Sequence, residues 1–127
     1  MNEKTGMGRT GNYDLENRTL KFAKGVIAFT NTLQRTLPNI EIIKQVVRSS
    51  GSVGANYIEA NESLSQKDFI VRIKICRKEA KETRYWLNLI QPNVVEAEKR
   101  RTELIQEAME LTKIFGSIVE RFRPNEN

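Results

Sequence analysis

Histidine is absent from this sequence of 127 residues, and cysteine occurs once, at Cys76. The absence of histidine excludes the Ser-His-Asp and Cys-His arrangements of many hydrolases, together with the commonest general acid or base near neutral pH. A single cysteine cannot form an internal disulfide, and a tetrahedral Cys/His zinc site cannot be assembled without histidine. We therefore expect no metal and no other cofactor, and the sequence favours a protein that is not an enzyme.

Proline and glycine are also scarce, with 3 and 7 residues, and there is no apolar run long enough to span a membrane. These scarcities exclude collagen-like, proline-rich and wholly disordered chains, whereas 39% apolar residues are enough to fill a core. Residues 1–12 lack the apolar stretch of a secretory signal. We expect a globular, cytoplasmic protein with no membrane partner.

The chain length predicts a single domain, because it is too short for two independently cored ones. Residues 1–12 contain three glycines and no apolar periodicity, so they are interpreted as a flexible N-terminal arm. Residues 13–123 are predicted to form the domain, and residues 124–127 a flexible tail.

Four segments of the domain repeat apolar or small residues at spacings of three and four, as one face of a helix does. Asp14 is the predicted N-cap of the first helix, the second starts near Pro38, and Ser65 caps the third with Asp68 in its first turn. The fourth helix follows Pro92 and has Arg101 as the only polar residue on its apolar face. Short connections and the absence of a strand pattern predict an all-α fold, an up-down-up-down antiparallel four-helix bundle.

A run of small residues, 49–56, interrupts the bulky positions of the second helix. It could cradle a phosphate, but it lacks the Gly-Lys-Ser/Thr ending of a P-loop and follows no strand. The interpretation that we favour is close approach of another helix, which offsets the cost of about 1 kcal/mol for each interior glycine.

The third helix carries most of the net charge of +5, because residues 63–91 hold 7 basic and 3 acidic side chains. Projection at about 100° per residue places five cations on one side. We call them the basic stripe: Lys74, Arg77, Lys78, Lys81 and Arg84. An ordinary solvated face would pair them locally, for example Lys78 with Glu82. Because the acidic residues project to the other flank, we predict nucleic-acid binding through phosphates, with little base reading since Tyr85 is the only aromatic residue nearby.

The opposite flank of the third helix combines acidic residues with further apolar ones. We call its apolar members the apolar flank: Val71, Ile75, Trp86 and Leu89. They could pack within the same bundle, but the main apolar face of the helix is already complete, so the flank predicts a contact between subunits. Cys76 lies on that main face and is interpreted as a core residue. The carboxylates of the fourth helix do not predict a di-metal site, which would need Glu-x-x-His pairs.

Three segments together carry a resemblance to a known family: residues 13–19, Tyr-Asp-Leu-Glu-Asn-Arg-Thr; residues 50–60, which contain Ser-Val-Gly-Ala-Asn-Tyr; and residues 67–87, which end in Lys-Glu-Ala-Lys-Glu-Thr-Arg-Tyr-Trp-Leu. The chain resembles the 23S rRNA-intervening-sequence protein family over about residues 13–122. The resemblance implies a bacterial four-helix bundle without an assigned catalytic activity. A related group, the accessory variability determinants of diversity-generating retroelements, forms basic homopentamers that bind nucleic acid and a reverse transcriptase.

The resemblance and the basic stripe together predict a non-enzymatic bundle, assembled as a homopentamer, that binds nucleic acid. RNA is the expected form, although DNA is not distinguished by these residues. The alternative is a scaffold that docks a protein partner such as a reverse transcriptase without touching nucleic acid, the stripe then being merely solvated.

Overall fold

Four long helices make up the chain in the computed structural model, which describes the backbone of residues 6–122 and the side chains of residues 14–122. They are α1 (Gly6–Thr30), α2 (Leu37–Asn61), α3 (Gln66–Leu89) and α4 (Val95–Arg121). Each helix packs against the next along the chain, and α4 returns to contact α1. Between residues 6 and 122 the backbones of the diagonal helix pairs do not approach each other closely, and no strand is present. The predicted all-α four-helix bundle is confirmed.

Neighbouring helices run in opposite directions, as contacts between their side chains show. Ser49, in the middle of α2, hydrogen-bonds to Thr83 near the end of α3, whereas Asn56, further along α2, bonds to Arg72 near the start of α3. Connections as short as these leave an antiparallel neighbour as the only accessible partner.

The helix starts follow the expected capping chemistry at two of the four sites. Thr36 accepts a hydrogen bond from the backbone N–H of Asn39, and α2 begins at Leu37 with Pro38 in its first turn. Ser65 accepts from the N–H of Asp68 at 3.1 Å, which confirms the predicted cap of α3.

The predicted start of α1 is wrong. The helix begins at Gly6, so Asp14 lies inside it and is not an N-cap, and residues 6–12 of the predicted arm are helical. Apolar periodicity identifies the part of a helix that packs against other helices. It does not predict helical turns that extend beyond the core. Residues 1–5 of the arm and the predicted tail, 124–127, lie outside the described residues.

The apolar faces of the four helices pack together to form the core, and nearly every predicted position is buried in it. On α1 the predicted face is buried throughout, and on α3 it is buried from Ile73 to Ile90, with Phe69 partly covered. Full burial of one such aliphatic side chain stabilises the fold by about 1.5–3 kcal/mol. The spacing also predicts burial of Ile58 and Val94, and both predictions are wrong. Each is 51% exposed, because Ile58 follows buried Tyr57 and points to the outer side of α2, and Val94 precedes the first turn of α4 as its N-cap residue.

The small residues of α2 let two neighbouring helices approach closely. A Cβ on Gly54 would lie 2.9 Å from Oγ1 of Thr19 on α1, and buried Ser49 hydrogen-bonds to buried Thr83 on α3 at 2.8 Å. Gly51, by contrast, has open space around it. Close packing is thus confirmed at Gly54 and Ser49, and the phosphate-loop alternative is excluded because the run is continuous helix.

Arg101, the polar exception on α4, has a structural explanation. Its guanidinium donates a hydrogen bond to the carbonyl of Leu87 at 3.2 Å, in the last turn of α3, and pairs with Glu98 at 2.9 Å. The same carbonyl accepts from the N–H of Ile90 at 3.3 Å, so the cation adds a second donor at the carbonyl end of the helix, where positive charge is favourable. No helix in the described part of the chain is long and apolar enough to cross a membrane.

Candidate nucleic-acid interface

The register of α3 separates an inner from an outer face. Ser65 fixes the start of the helix, and from there Ile73, Cys76 and Ala80 fall on the buried side. The positions that follow Ile73 and Ala80 by one, Lys74 and Lys81, therefore point outwards and are exposed, as is Lys78. The same helical repeat that builds the core thus lines up cations on the solvent side.

Four of the five stripe cations share one shallow groove of about 370 Å³ on the outside of α3. Arg84 is exposed but does not line it. The groove is lined by Lys74, Arg77, Lys78, Lys81, Glu82, Tyr85 and Trp86. We call it the α3 groove.

None of the five stripe cations has a carboxylate within ion-pairing distance in the described part of the chain. Glu82, the local partner that a solvated face would use for Lys78, instead contacts Arg48 of α2 at 3.3 Å. Glu79 is buried and also pairs with Arg48, at 3.4 Å. Because α2 takes up both carboxylates, the stripe keeps its positive charge, and like charges in one groove raise the local potential for anions.

The side chain of Arg77 reaches the neighbouring helix α4 at Gly116. A Cβ placed on Gly116 would lie 3.8 Å from the Cδ of Arg77 and 3.9 Å from its Nη1, which are ordinary van der Waals distances, so the arginine packs beside α4 without requiring a glycine there. Arg77 is accordingly half-buried while the three lysines are exposed. This packing of Arg77 beside Gly116 could not be predicted from the sequence, because it depends on a second helix.

Two aromatic residues complete the α3 groove. The rings of Tyr85 and Trp86 meet edge to face, with centroids 5.1 Å apart and planes at 74°. Trp86 packs against the core, and its Nε1 is buried without a hydrogen-bond partner among the described residues, whereas Tyr85 remains 59% exposed. The groove therefore offers cations and an accessible aromatic ring side by side.

The apolar flank is divided into two parts. Val71 and Leu89 are 50% and 43% exposed, whereas Ile75 and Trp86 are half-buried. Between the latter two, on the same side of α3, lie the carboxylates that pair with Arg48, so the four residues do not form a continuous strip. Val71 and Ile75 line a groove near the α2–α3 turn, which also contains the acidic residues Glu59, Glu62 and Asp68.

A larger groove, of about 560 Å³, lies between α1 and α4, but both of its arginines are paired with carboxylates. Arg18 donates to both carboxylate oxygens of Glu107, at 2.7 and 2.9 Å, and to Glu110 at 3.0 Å. The bond with Glu107 raises the pKa of Arg18. The pKa of Glu110 is lowered by its hydrogen bond with Gln106 and then by Arg18.

Neither a metal centre nor a reactive thiol is found in this part of the molecule. Over residues 14–122 no group of three or more Cys, Asp or Glu side chains could hold an ion. Cys76 is fully buried, and burial raises the pKa of its thiol to about 12, so the sulfur stays protonated and unreactive at neutral pH. Its interpretation as a core residue is confirmed.

Fold and site together define a small all-helical bundle with a row of cations on the outer side of α3, and comparison with known proteins gives its family. Residues 12–117 match the sequence model of the family described as 23S rRNA-intervening sequence protein, and the chain belongs to that family. The family resemblance seen in the sequence is thereby confirmed, while the relation to the accessory variability determinants stays a prediction. No curated protein sequence matches the chain.

One solved structure extends this comparison. It is a protein with unknown function from the S23 ribosomal protein family of Bacteroides thetaiotaomicron VPI-5482, 30% identical in sequence, with a TM-score of 0.71. The match covers 83% of this chain and 97% of that chain. The likeness therefore extends over almost the whole bundle.

Proposed function

We propose that this protein is a non-enzymatic, oligomeric four-helix bundle that binds nucleic acid, RNA in the first place, through phosphates along the basic stripe of α3. The observation that carries the proposal is the state of the five stripe cations. They are on the surface of one helix, and no described carboxylate neutralises any of them. Cations held this way are repelled by one another and attract a polyanion.

The groove suits contacts to the backbone of a nucleic acid better than reading of base edges. Lysine is a flexible point charge that binds a phosphate without demanding one geometry. The groove lacks a row of amide side chains, which would be needed to recognise bases by paired hydrogen bonds. Binding is therefore expected to depend strongly on salt and weakly on sequence.

Charge reversal of the groove lysines tests the proposal. In the variant Lys74→Glu/Lys78→Glu/Lys81→Glu we expect retained helical circular dichroism, because exposed substitutions usually cost about 0.5 kcal/mol or less each. Affinity for an RNA oligonucleotide should fall steeply, and the slope of log affinity against log salt should shrink by about 2, at about 0.7 for each lost contact to a single strand.

A matched control separates a local from a general effect of charge. The variant Lys24→Glu/Lys44→Glu/Lys99→Glu changes the net charge by the same amount at exposed positions on α1, α2 and α4. It should keep most of the affinity and most of the salt slope. Equal losses in the two triple variants, or unchanged binding by a folded stripe variant, would remove α3 as the contact surface.

A scaffold that docks a protein such as a reverse transcriptase is the second candidate. It is favoured by the groove at the α2–α3 turn, where Leu64 is fully exposed beside Val71 and several carboxylates. The titration separates the two candidates: a scaffold would show little affinity for RNA even at low salt, whereas phosphate binding would be strong there.

Self-association belongs to the same proposal, and the family resemblance makes a homopentamer the expected assembly. The apolar flank is the proposed contact, because Val71 and Leu89 remain exposed at its two ends. Light scattering should give a mass near five chains, and Trp86→Ala or Ile75→Asp should shift it towards smaller species with helicity retained. Leu20→Asp, at an exposed apolar position on α1, is the control. Dissociation by this control alone would move the interface to α1.

A further inference from the structure

We propose that the α3 groove selects single-stranded over double-stranded nucleic acid, because Tyr85 provides a stacking platform for an unpaired base beside the phosphate-binding lysines. This inference rests on the proposed function and adds a substrate class to it. Tyr85 is not a member of the basic stripe, but its ring lines the same groove as the stripe lysines.

Tyr85 continues the outer row of the groove. Lys74, Lys78, Lys81 and Tyr85 follow one another at spacings of four, three and four, so all four lie on one line along α3. At 1.5 Å of rise per residue, Tyr85 is about 6 Å further along the axis than Lys81. A nucleotide whose phosphate contacts Lys81 therefore has its base within reach of the tyrosine ring.

The ring is both accessible and supported. Tyr85 is 59% exposed, while Trp86 meets it edge to face at 5.1 Å and is itself packed against the core. A ring braced in this way loses little conformational freedom when a base stacks on it, and aromatic side chains have few torsions to immobilise.

The groove distinguishes a single strand from a duplex because the faces of the bases in a duplex are already covered by neighbouring bases. Within a helix each base stacks on its neighbours, so a duplex presents only phosphates and sugars to the groove and uses the lysines alone. A single strand can place the same phosphates on the lysines and add a base on Tyr85. The difference between the two substrates should thus reside in the tyrosine and not in the cations.

The experiment compares Tyr85→Ala with Tyr85→Phe by fluorescence anisotropy. The probes are a labelled oligouridylate and the duplex that the same strand forms with oligoadenylate. Tyr85→Ala should weaken binding of the single strand about 10-fold and leave binding of the duplex unchanged. The salt slope measured with each probe should stay as it is in the unmodified protein, because no phosphate contact is lost. Tyr85→Phe, which keeps the ring, should bind like the unmodified protein.

The sole tryptophan gives an independent readout of the same event. Trp86 touches Tyr85, so its fluorescence should change on addition of the oligouridylate and change less with the duplex. In Tyr85→Ala this difference between the two probes should disappear.

Two results would overturn the inference: an equal loss for both probes in Tyr85→Ala, or no loss for either. These are distinguishable from failure of the proposed function, which would appear as unchanged binding in the triple lysine variant. Loss of binding in that variant together with unaltered Tyr85→Ala would leave phosphate binding in place and remove only the stacking platform.

Discussion

The outer face of α3 and the seam between α1 and α4 both contain several cations in a groove, yet they differ in how those cations are neutralised. The α1–α4 groove is the larger, at about 560 against 370 Å³. Its arginines, however, are engaged: Arg18 with Glu107 and Glu110, and Arg100 with Glu103. The size of a groove and its number of cations thus say less about an anionic partner than the position of the nearest carboxylates.

The difference follows from where each helix places its acidic residues. On α4, Glu103 comes three residues after Arg100, so the two meet on one face of the helix. On α3 the carboxylates of Glu79 and Glu82 turn towards α2, where Arg48 takes both. Arg48, on the neighbouring helix, therefore helps to leave the stripe without ion-pair partners among the described residues, whereas the arginines of the α1–α4 groove form ion pairs that stabilise the fold.

The largest effect on stability is expected at the seam. Arg18→Ala leaves Glu107 and Glu110 close together without their shared cation, and partly buried, charge-assisted hydrogen bonds of this kind contribute about 1–2 kcal/mol. Urea unfolding should show a loss of that size, with unchanged affinity for RNA. Lys74→Ala is the control, expected to leave the free energy of unfolding within about 0.5 kcal/mol while weakening binding. The opposite pattern in the two variants would exchange the roles assigned to the two regions.

Much of the fold could be predicted from the sequence because it depends on periodicity. The spacings of three and four predicted the four buried faces. Ser65 was predicted to cap α3, and in the structure it accepts a hydrogen bond from the N–H of Asp68. Periodicity could not locate the start of α1, since the turns from Gly6 carry no apolar pattern.

The candidate site was predictable only in part. The cations of the stripe could be projected onto one side of α3, because they depend on that helix alone. The pairing of Glu82 with Arg48 and the packing of Arg77 beside Gly116 depend on other helices, 34 and 39 residues away along the chain. Tyr85 could be recognised as the aromatic residue nearest the stripe, but its role as a stacking platform could not be predicted from the sequence. Its exposure beside the lysines depends on how the helices pack.

A smaller effect of opposite sign is expected within the stripe. Lys81 has Arg77, Lys78 and Arg84 as its neighbours at spacings of three and four, and such like-charge pairs destabilise a helix. Lys81→Glu should therefore stabilise the bundle by about 0.5–1 kcal/mol in urea unfolding while weakening RNA binding.

Lys99→Glu is the matched control for this charge reversal. Lys99 has Glu96 and Glu103 at helical spacing on α4, so its reversal creates repulsion and should destabilise by a similar amount. If both reversals lower stability, the stripe is not under the electrostatic strain that its lack of partners implies.

The smallest effect concerns the acid side of the stability curve and again separates the two regions. The pKa of Glu110 is lowered in the folded protein, first by its hydrogen bond with Gln106 and then by Arg18. A carboxyl whose folded pKa is depressed contributes stability above its unfolded value, about 4.3, and loses that contribution as the pH falls through the folded value. Glu110→Gln should therefore flatten the dependence of the free energy of unfolding on pH below about pH 4.3. Lys74→Gln should leave that dependence unchanged, since no described carboxylate pairs with Lys74. Chemical denaturation at a series of acidic pH values measures both, and a flattened curve in the Lys74 variant would mean that the stripe is neutralised after all.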